Sequence, residues 1–172
     1  YTDYILKDEY KKKSKKIFLE KINKNLTDTL LKDTKIALLT VAVRKKTLER
    51  INFKFDSDYS IIGDFDLLIK LSLVAKFYHH KFLSATYRFH SNSETNKNFI
   101  KLIDELKDWK IKNLTNRSVN SLKNFKNLDY KIDYYNTIYA IKNKKYTLFF
   151  KSLKKIKFSI YIVKIIYWII FK

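Results

Sequence analysis

Gly63-Asp64-Phe65-Asp66-Leu67-Leu68-Ile69-Lys70-Leu71 is the stretch whose reading decides the fold. From Asp64 onward, Leu67, Leu68, Leu71, Val74 and Ala75 fall at i, i+1, i+4, i+7 and i+8, the repeat of an amphipathic helix. Two carboxylates, Asp64 and Asp66, stand at its mouth. Roughly twenty residues on comes Ala85-Thr86-Tyr87-Arg88-Phe89-His90, the end of an alternating, aromatic-rich run. Residues 77–89 are expected to form one or two short strands.

Working outward toward the N-terminus, residues 53–60 read as a loop carrying Asp56 and Asp58, and residues 44–51 as a short helix with Leu48 and Ile51 on one face. Residues 36–43 are apolar and rich in β-branched side chains, which predicts a buried strand. Ile17, Phe18, Ile22, Leu26, Leu30 and Leu31 make a helical stripe over residues 17–31. The lysine run at 11–16 reads as a solvated loop, and residues 1–6 as the end of a strand.

Toward the C-terminus, Ser91-Asn92-Ser93-Glu94-Thr95-Asn96 is a loop by composition. Phe99, Leu102, Ile103, Leu106 and Trp109 form a clear helical stripe, followed by a polar break at 113–121. Residues 130–141 and 146–156 are expected to form a helical hairpin around Asn143-Lys144-Lys145. The fold class is therefore α/β (of α+β type). Residues 1–96 hold a few strands and helices; residues 97–172 form an all-helical extension with a basic, aromatic tail.

The composition narrows the function classes. At 172 residues the chain suits one domain, or one domain with an appendage. A hydrophobic fraction of 46% excludes wholesale disorder despite a net charge of +20. No cysteine is present, so disulfides and thiolate metal sites are excluded. Methionine is also absent, so the sequence is expected to be a fragment or processed product, and nothing in it reads as a signal peptide. Such a basic balance favours anionic partners, whereas the joint abundance of Lys, Asn, Ile, Tyr and Phe offers compositional bias as the other explanation. Residues 158–171 are apolar but shorter than the ~20 residues a bilayer requires. Preceded by Lys151, Lys154, Lys155 and Lys157, they read either as an interfacial helix on an anionic membrane or as a terminal helix packed on the hairpin.

An aspartate at a helix start is most simply an N-cap, held by backbone N–H groups and the helix dipole. The same placement suits a general base, because the carboxylate is fixed and ionised. Asp66, in the first turn, most simply complements the dipole. Arg88 and His90, two residues apart on a strand, share a face. A guanidinium there suits a diphosphate, and a neutral imidazole could complete the coordination of a divalent cation; otherwise His90 is a structural histidine. His79 and His80 are adjacent, face opposite ways on a strand, and are assigned structural roles.

Taken in order, Ala37-Leu38-Leu39-Thr40-Val41-Ala42-Val43-Arg44-Lys45, Phe55-Asp56, Gly63-Asp64-Phe65-Asp66-Leu67 and Tyr87-Arg88-Phe89-His90-Ser91-Asn92-Ser93 resemble the C-terminal half of the family 2 glycosyltransferases, enzymes of the GT-A fold. Tyr1-Thr2-Asp3-Tyr4-Ile5-Leu6 is similar to the strand that follows the nucleotide-binding half in that family. The resemblance covers about residues 1–95. It implies transfer of a sugar from a nucleotide-sugar donor to a saccharide or lipid-linked acceptor, with Asp64 as the base that deprotonates the acceptor hydroxyl. Gly63 departs from the glutamate that many members carry there. By the same resemblance, Asp66 and Arg88 would contact substrate and His90 would ligate a divalent metal (Mg or Mn). That metal is expected to be held mainly by the family's N-terminal half with its aspartate-any-aspartate motif, for which Asp56-Ser57-Asp58 sits in the wrong place to substitute. The expectation is an acceptor-side half, inactive alone, cytoplasmic and peripheral at the inner membrane face, serving polysaccharide assembly in the cell envelope.

Two other classes compete. The aromatic helices after Phe99 could form a noncatalytic interaction or anionic-membrane-binding module, although one hairpin is short of the several units a helical repeat needs. Nonspecific nucleic-acid binding would follow from charge alone, but no recognition motif supports it and the acidic residues at 56–66 oppose it.

Overall fold

β1 (Thr2–Asp8) is the middle strand of a three-stranded sheet of order β2-β1-β3. In this computed structural model, residues 1–21, 25–52, 54–90, 92–156 and 165 are described. They divide into two units, Tyr1–Lys97 and Asn98–Lys172.

In the first unit, β2 (Lys13–Ile17) runs antiparallel to β1, with Tyr4 opposite Ile17 and Asp8 opposite Lys13. The turn between them is held by Asp8, whose Oδ1 accepts the N–H groups of Tyr10 and Lys11 at 3.0 Å, and it ends on Lys12 at a φ of 48°. β2 replaces the loop expected from the lysine run. Its side chains are exposed on both faces, so no hydrophobic alternation marks it, and backbone pairing to β1 alone makes it a strand. Lysines on an edge strand also deter pairing with other chains.

β3 (His80–Phe89) lies parallel to β1 on its other side, with Lys7 opposite Arg88 and a register shift around Asp3. Parallel strands require a long crossover, and here it carries α1 (Leu26–Lys32), α2 (Lys45–Arg50) and α3 (Gly63–Ser72). The helix expected over 17–31 is shorter than its stripe: Ile17 ends β2, Phe18 is exposed, Ile22 is outside the described residues, and Asn25 caps α1 through the N–H of Asp28. Residues 36–43 form no strand but a 3-10 turn, Leu38–Thr40, closed by the Thr40 hydroxyl donating to the Ala37 carbonyl. Both sides of β1 are already taken by β2 and β3, so this β-branched run has no place beside the central strand.

α3 buries Phe65, Leu67, Leu68, Ile69 and Leu71. It packs against α1, where Leu30 and Leu31 are buried and the hydroxyls of Thr27 and Ser72 meet at 2.8 Å. Burial of each such aliphatic side chain favours folding by about 1.5–3 kcal/mol before chain entropy is counted, which is why this helix anchors the unit. After β3, the expected 91–96 loop instead contains a one-turn helix, α4 (Glu94–Lys97).

The second unit consists of helices. α5 (Phe99–Lys112) packs on α8 (Leu128–Lys142), with α6 (Arg117–Asn120) and α7 (Lys123–Lys126) between them in sequence. The polar break thus holds a turn of helix, capped by Asn116 and fixed by Val119, which is fully buried. Trp109 and Phe125 meet at 6.2 Å between ring centroids in the core. α8 and α9 (Tyr146–Lys155) form the expected hairpin, its turn carrying Lys144 at a φ of 54°. Among the described residues no helix is long and apolar enough to cross a membrane. The tail helix expected at 158–171 lies outside the described residues except for Ile165.

Candidate active site at the start of the central helix

Ile62 occupies the N-cap position of α3 and makes no side-chain cap. Asp64 is therefore the second helical residue rather than the cap, and its Oδ1 accepts the backbone N–H of Phe65 at 2.7 Å. The residue retains solvent exposure, yet protein crowded around the carboxyl group desolvates it. That desolvation pushes its pKa above the ordinary aspartate value, against the backbone hydrogen bonds that pull it down. A carboxylate so placed is fixed in direction, open on one side, and more basic than a solvated aspartate.

Asp66 is two residues on, a rotation of about 200° around the helix, so the two carboxylates face apart. Asp66 is buried, and its Oδ2 receives the ammonium of Lys70 at 2.6 Å. The fold therefore separates the two carboxylates that the sequence sets side by side. Asp66 acts here as the inner half of an i,i+4 ion pair, turned away from the solvent a substrate would come from.

Arg88 and His90 are brought together at the far end of the sheet with a residue that sequence reasoning missed, Glu9. The Arg88 Nε donates to Glu9 Oε1 at 2.8 Å, and the Glu9 N–H donates to the Phe89 carbonyl at 3.0 Å. The Arg88 hydrogen bond first, then the charges of Arg88 and His90, hold the Glu9 carboxyl below its ordinary pKa. Nothing local in the sequence marks Glu9, since the contact depends on the β1–β3 register. His90 is half-buried and follows β3 directly; its carbonyl accepts the Asn96 side chain at 2.9 Å, which fixes the turn after the strand. Among the described residues, no hydrogen bond or ion pair joins Asp64 to Arg88 or His90. Nor does any group of three His, Asp or Glu side chains there suit a metal ion. His90 could contribute one ligand at most, and the described residues do not complete a divalent site around it.

The adjacent histidines divide as their alternation requires. His79 is buried, with Nε2 and Asp3 Oδ1 2.7 Å apart, while Asp3 also accepts the Leu19 N–H at 2.8 Å. The Tyr1 ring stacks on His79 at 5.1 Å. The Leu19 hydrogen bond, and after it His79, hold the Asp3 carboxyl below its ordinary pKa against the desolvation that raises it. This pair ties β1 to the start of β3. His80 turns the other way, into a cleft.

Compared with protein families, with curated proteins and with solved structures, the chain has no significant match.

Proposed function

We propose that the chain is the acceptor-side part of a glycosyltransferase, moving a sugar from a nucleotide-sugar donor to a saccharide or lipid-linked acceptor. The observation that carries the reading is the state of Asp64, a solvent-reaching carboxylate locked at a helix start and made more basic by its surroundings. The order of the motifs around it supports the same reading. In this mechanism Asp64 takes the proton of the acceptor hydroxyl as its oxygen bonds to the donor's anomeric carbon and the nucleoside diphosphate departs. Arg88 offers a guanidinium for that leaving group's charge, once released from Glu9.

The reading carries a location at the inner face of a membrane. What supports a surface role is the second unit, in which Lys151, Lys154 and Lys155 are exposed on α9 beside the exposed rings of Tyr146 and Phe150. After Asp133 the sequence contains nine lysines and no acidic residue. The same observation favours the second reading, a noncatalytic module on an anionic membrane.

The test is Asp64→Asn in the chain joined to a nucleotide-binding half. Donor binding is expected to persist while transfer falls by about 10²–10⁴-fold, the usual worth of a general base. Transfer at the unaltered rate would return Asp64 to a helix-start residue and favour the noncatalytic reading.

A further inference from the structure

We propose a second binding site, for an organic phosphate, in the cleft past the C-terminal end of α3. The cleft encloses about 740 Å³ between α2 and the segment that leads from α3 into β3, a volume within the ~300–1,000 Å³ usual for small-molecule sites. Four basic side chains line it: Arg44, Arg50, Lys76 and His80; no carboxylate does. Arg44 stands just before the first turn of α2 and Arg50 ends its last, so one six-residue helix sets the spacing of both guanidinium groups.

The charge pattern is not what the overall composition produces. Only four of the 37 Lys and Arg residues are arginine (Arg44, Arg50, Arg88 and Arg117), yet two of the four line this cleft. Arginine presents a rigid fork of donors matched to phosphate oxygens, whereas lysine is a point charge. The other arginine of this unit, Arg88, is matched by Glu9, as Lys70 is by Asp66, Lys45 by Glu49 and His79 by Asp3. In the cleft, the side chains of Arg44, Lys76 and His80 have no partner among the described residues. Arg50 spends one Nη2 donor on the Val74 carbonyl, which links α2 to the segment after α3 and leaves its other donors for a ligand.

The remaining walls define the rest of the ligand. Val41, Val43 and Leu71 supply apolar surface, and Phe77 and Tyr78 supply aromatic rings, Tyr78 being 69% exposed. The ligand class is thus a phosphomonoester or diphosphate that carries an apolar or aromatic group. From Asp64 to Leu71 the helix rises ~10 Å, so the site is separate from the candidate base and does not depend on the sugar-transfer reading.

The experiment is calorimetric titration of the 172-residue chain with phenyl phosphate, and in parallel with phosphatidylcholine vesicles with and without phosphatidic acid. Phenyl phosphate is expected to bind, with affinity falling about tenfold in Arg44→Ala and again in Lys76→Gln, the scale of losing one charge-assisted hydrogen bond. Arg117→Ala, which removes an exposed arginine of the second unit, and Asp64→Asn are expected to leave it unchanged. Binding confined to phosphatidic-acid vesicles, and lost in Arg44→Ala, would assign the site to a lipid-borne phosphate. Absence of binding in both arms, or equal losses in Arg44→Ala and Arg117→Ala, would overturn the site, since equal losses mean attraction to net charge alone. Thermal melts by circular dichroism show whether each variant is folded; Lys76, exposed and without a partner, keeps the test open should Arg44→Ala fail to fold.

Discussion

The two ends of α3 are chemical opposites. At its first turn a lone carboxylate reaches solvent with its pKa raised; beyond its last turn lies a cleft whose titratable side chains are basic or phenolic. Between them Phe65, Leu67, Leu68, Ile69 and Leu71 are buried, and the buried Asp66 is neutralised by the exposed Lys70. The helix dipole alone would favour a negative group at the start and positive groups at the finish. The dipole does not account for the rest. Asp64 is desolvated, which opposes its charge, and Arg44, Lys76 and His80 stand unmatched around a concavity.

The largest expected effect separates the two ends by function. Asp64→Asn keeps an oxygen for the Phe65 N–H, so the 10²–10⁴-fold loss of transfer is to be measured against an unchanged fold. The sign of the stability effect is fixed by the pKa direction. A carboxyl whose folded pKa is raised contributes stability that is present below the unfolded pKa and lost as pH rises through the folded value. At neutral pH Asp64 is therefore a burden, and the Asn variant is expected to melt no lower than the parent chain. Transfer by the parent should fall on acidification through the raised pKa of Asp64. A variant that loses activity and also melts lower at neutral pH would mean that the carboxylate serves the fold.

Removing what joins the two ends comes next. Leu68 is fully buried in the middle of α3, and Leu68→Ala is expected to cost about 2–5 kcal/mol by transfer and cavity effects. Phenyl phosphate binding and transfer should then weaken together on warming, because both depend on one helix. Loss of one without the other would show that α2 and the segment after α3 hold the cleft independently.

This comparison was only half visible in the sequence. The apolar repeat from Leu67 onward located α3, because its period is set by local geometry, and the alternation before His90 located β3. What stayed hidden needed information that no local period carries. The lysines of β2 form a strand only because β1 offers backbone groups, and residues 36–43 turn on themselves at Leu38–Thr40 instead of pairing. Glu9 meets Arg88 through the register of a parallel pair 79 residues apart. Asp64 and Asp66 are neighbours in sequence and face opposite ways on the helix. The cleft draws Arg44 from one segment and Lys76 and His80 from another far along the chain, so no motif announces it.

A smaller effect tests whether the sheet holds its strands in place independently of α3. Asp3 has a lowered pKa, so the stability it contributes is present above the unfolded carboxyl pKa of about 4 and lost as pH falls through the folded value. Asp3→Asn should cost about 1–3 kcal/mol at neutral pH, the scale of a buried, charge-assisted hydrogen bond. It should also flatten the acid limb of a stability-against-pH curve measured by urea melts. An acid limb unchanged in the variant would shift the acid dependence to other carboxylates, with Glu9 the first to examine.

The smallest effect concerns Gly63, beside the candidate base. Its φ is not positive, and a Cβ added there would meet Phe55 at 3.5 Å, an ordinary contact. Neither backbone geometry nor space requires glycine at this helix start. Gly63→Ala is therefore expected to stabilise the chain by about 0.4–1 kcal/mol, chiefly by reducing the freedom of the unfolded state. Because alanine adds only a methyl group, the Asp64 carboxylate should keep its direction, and transfer should be unaltered. If Gly63→Ala is stabilising yet slows transfer, the glycine is there to leave room for an acceptor next to Asp64. That result would sharpen the difference between the two ends of α3: one kept open for a hydroxyl, the other lined with cations for a phosphate.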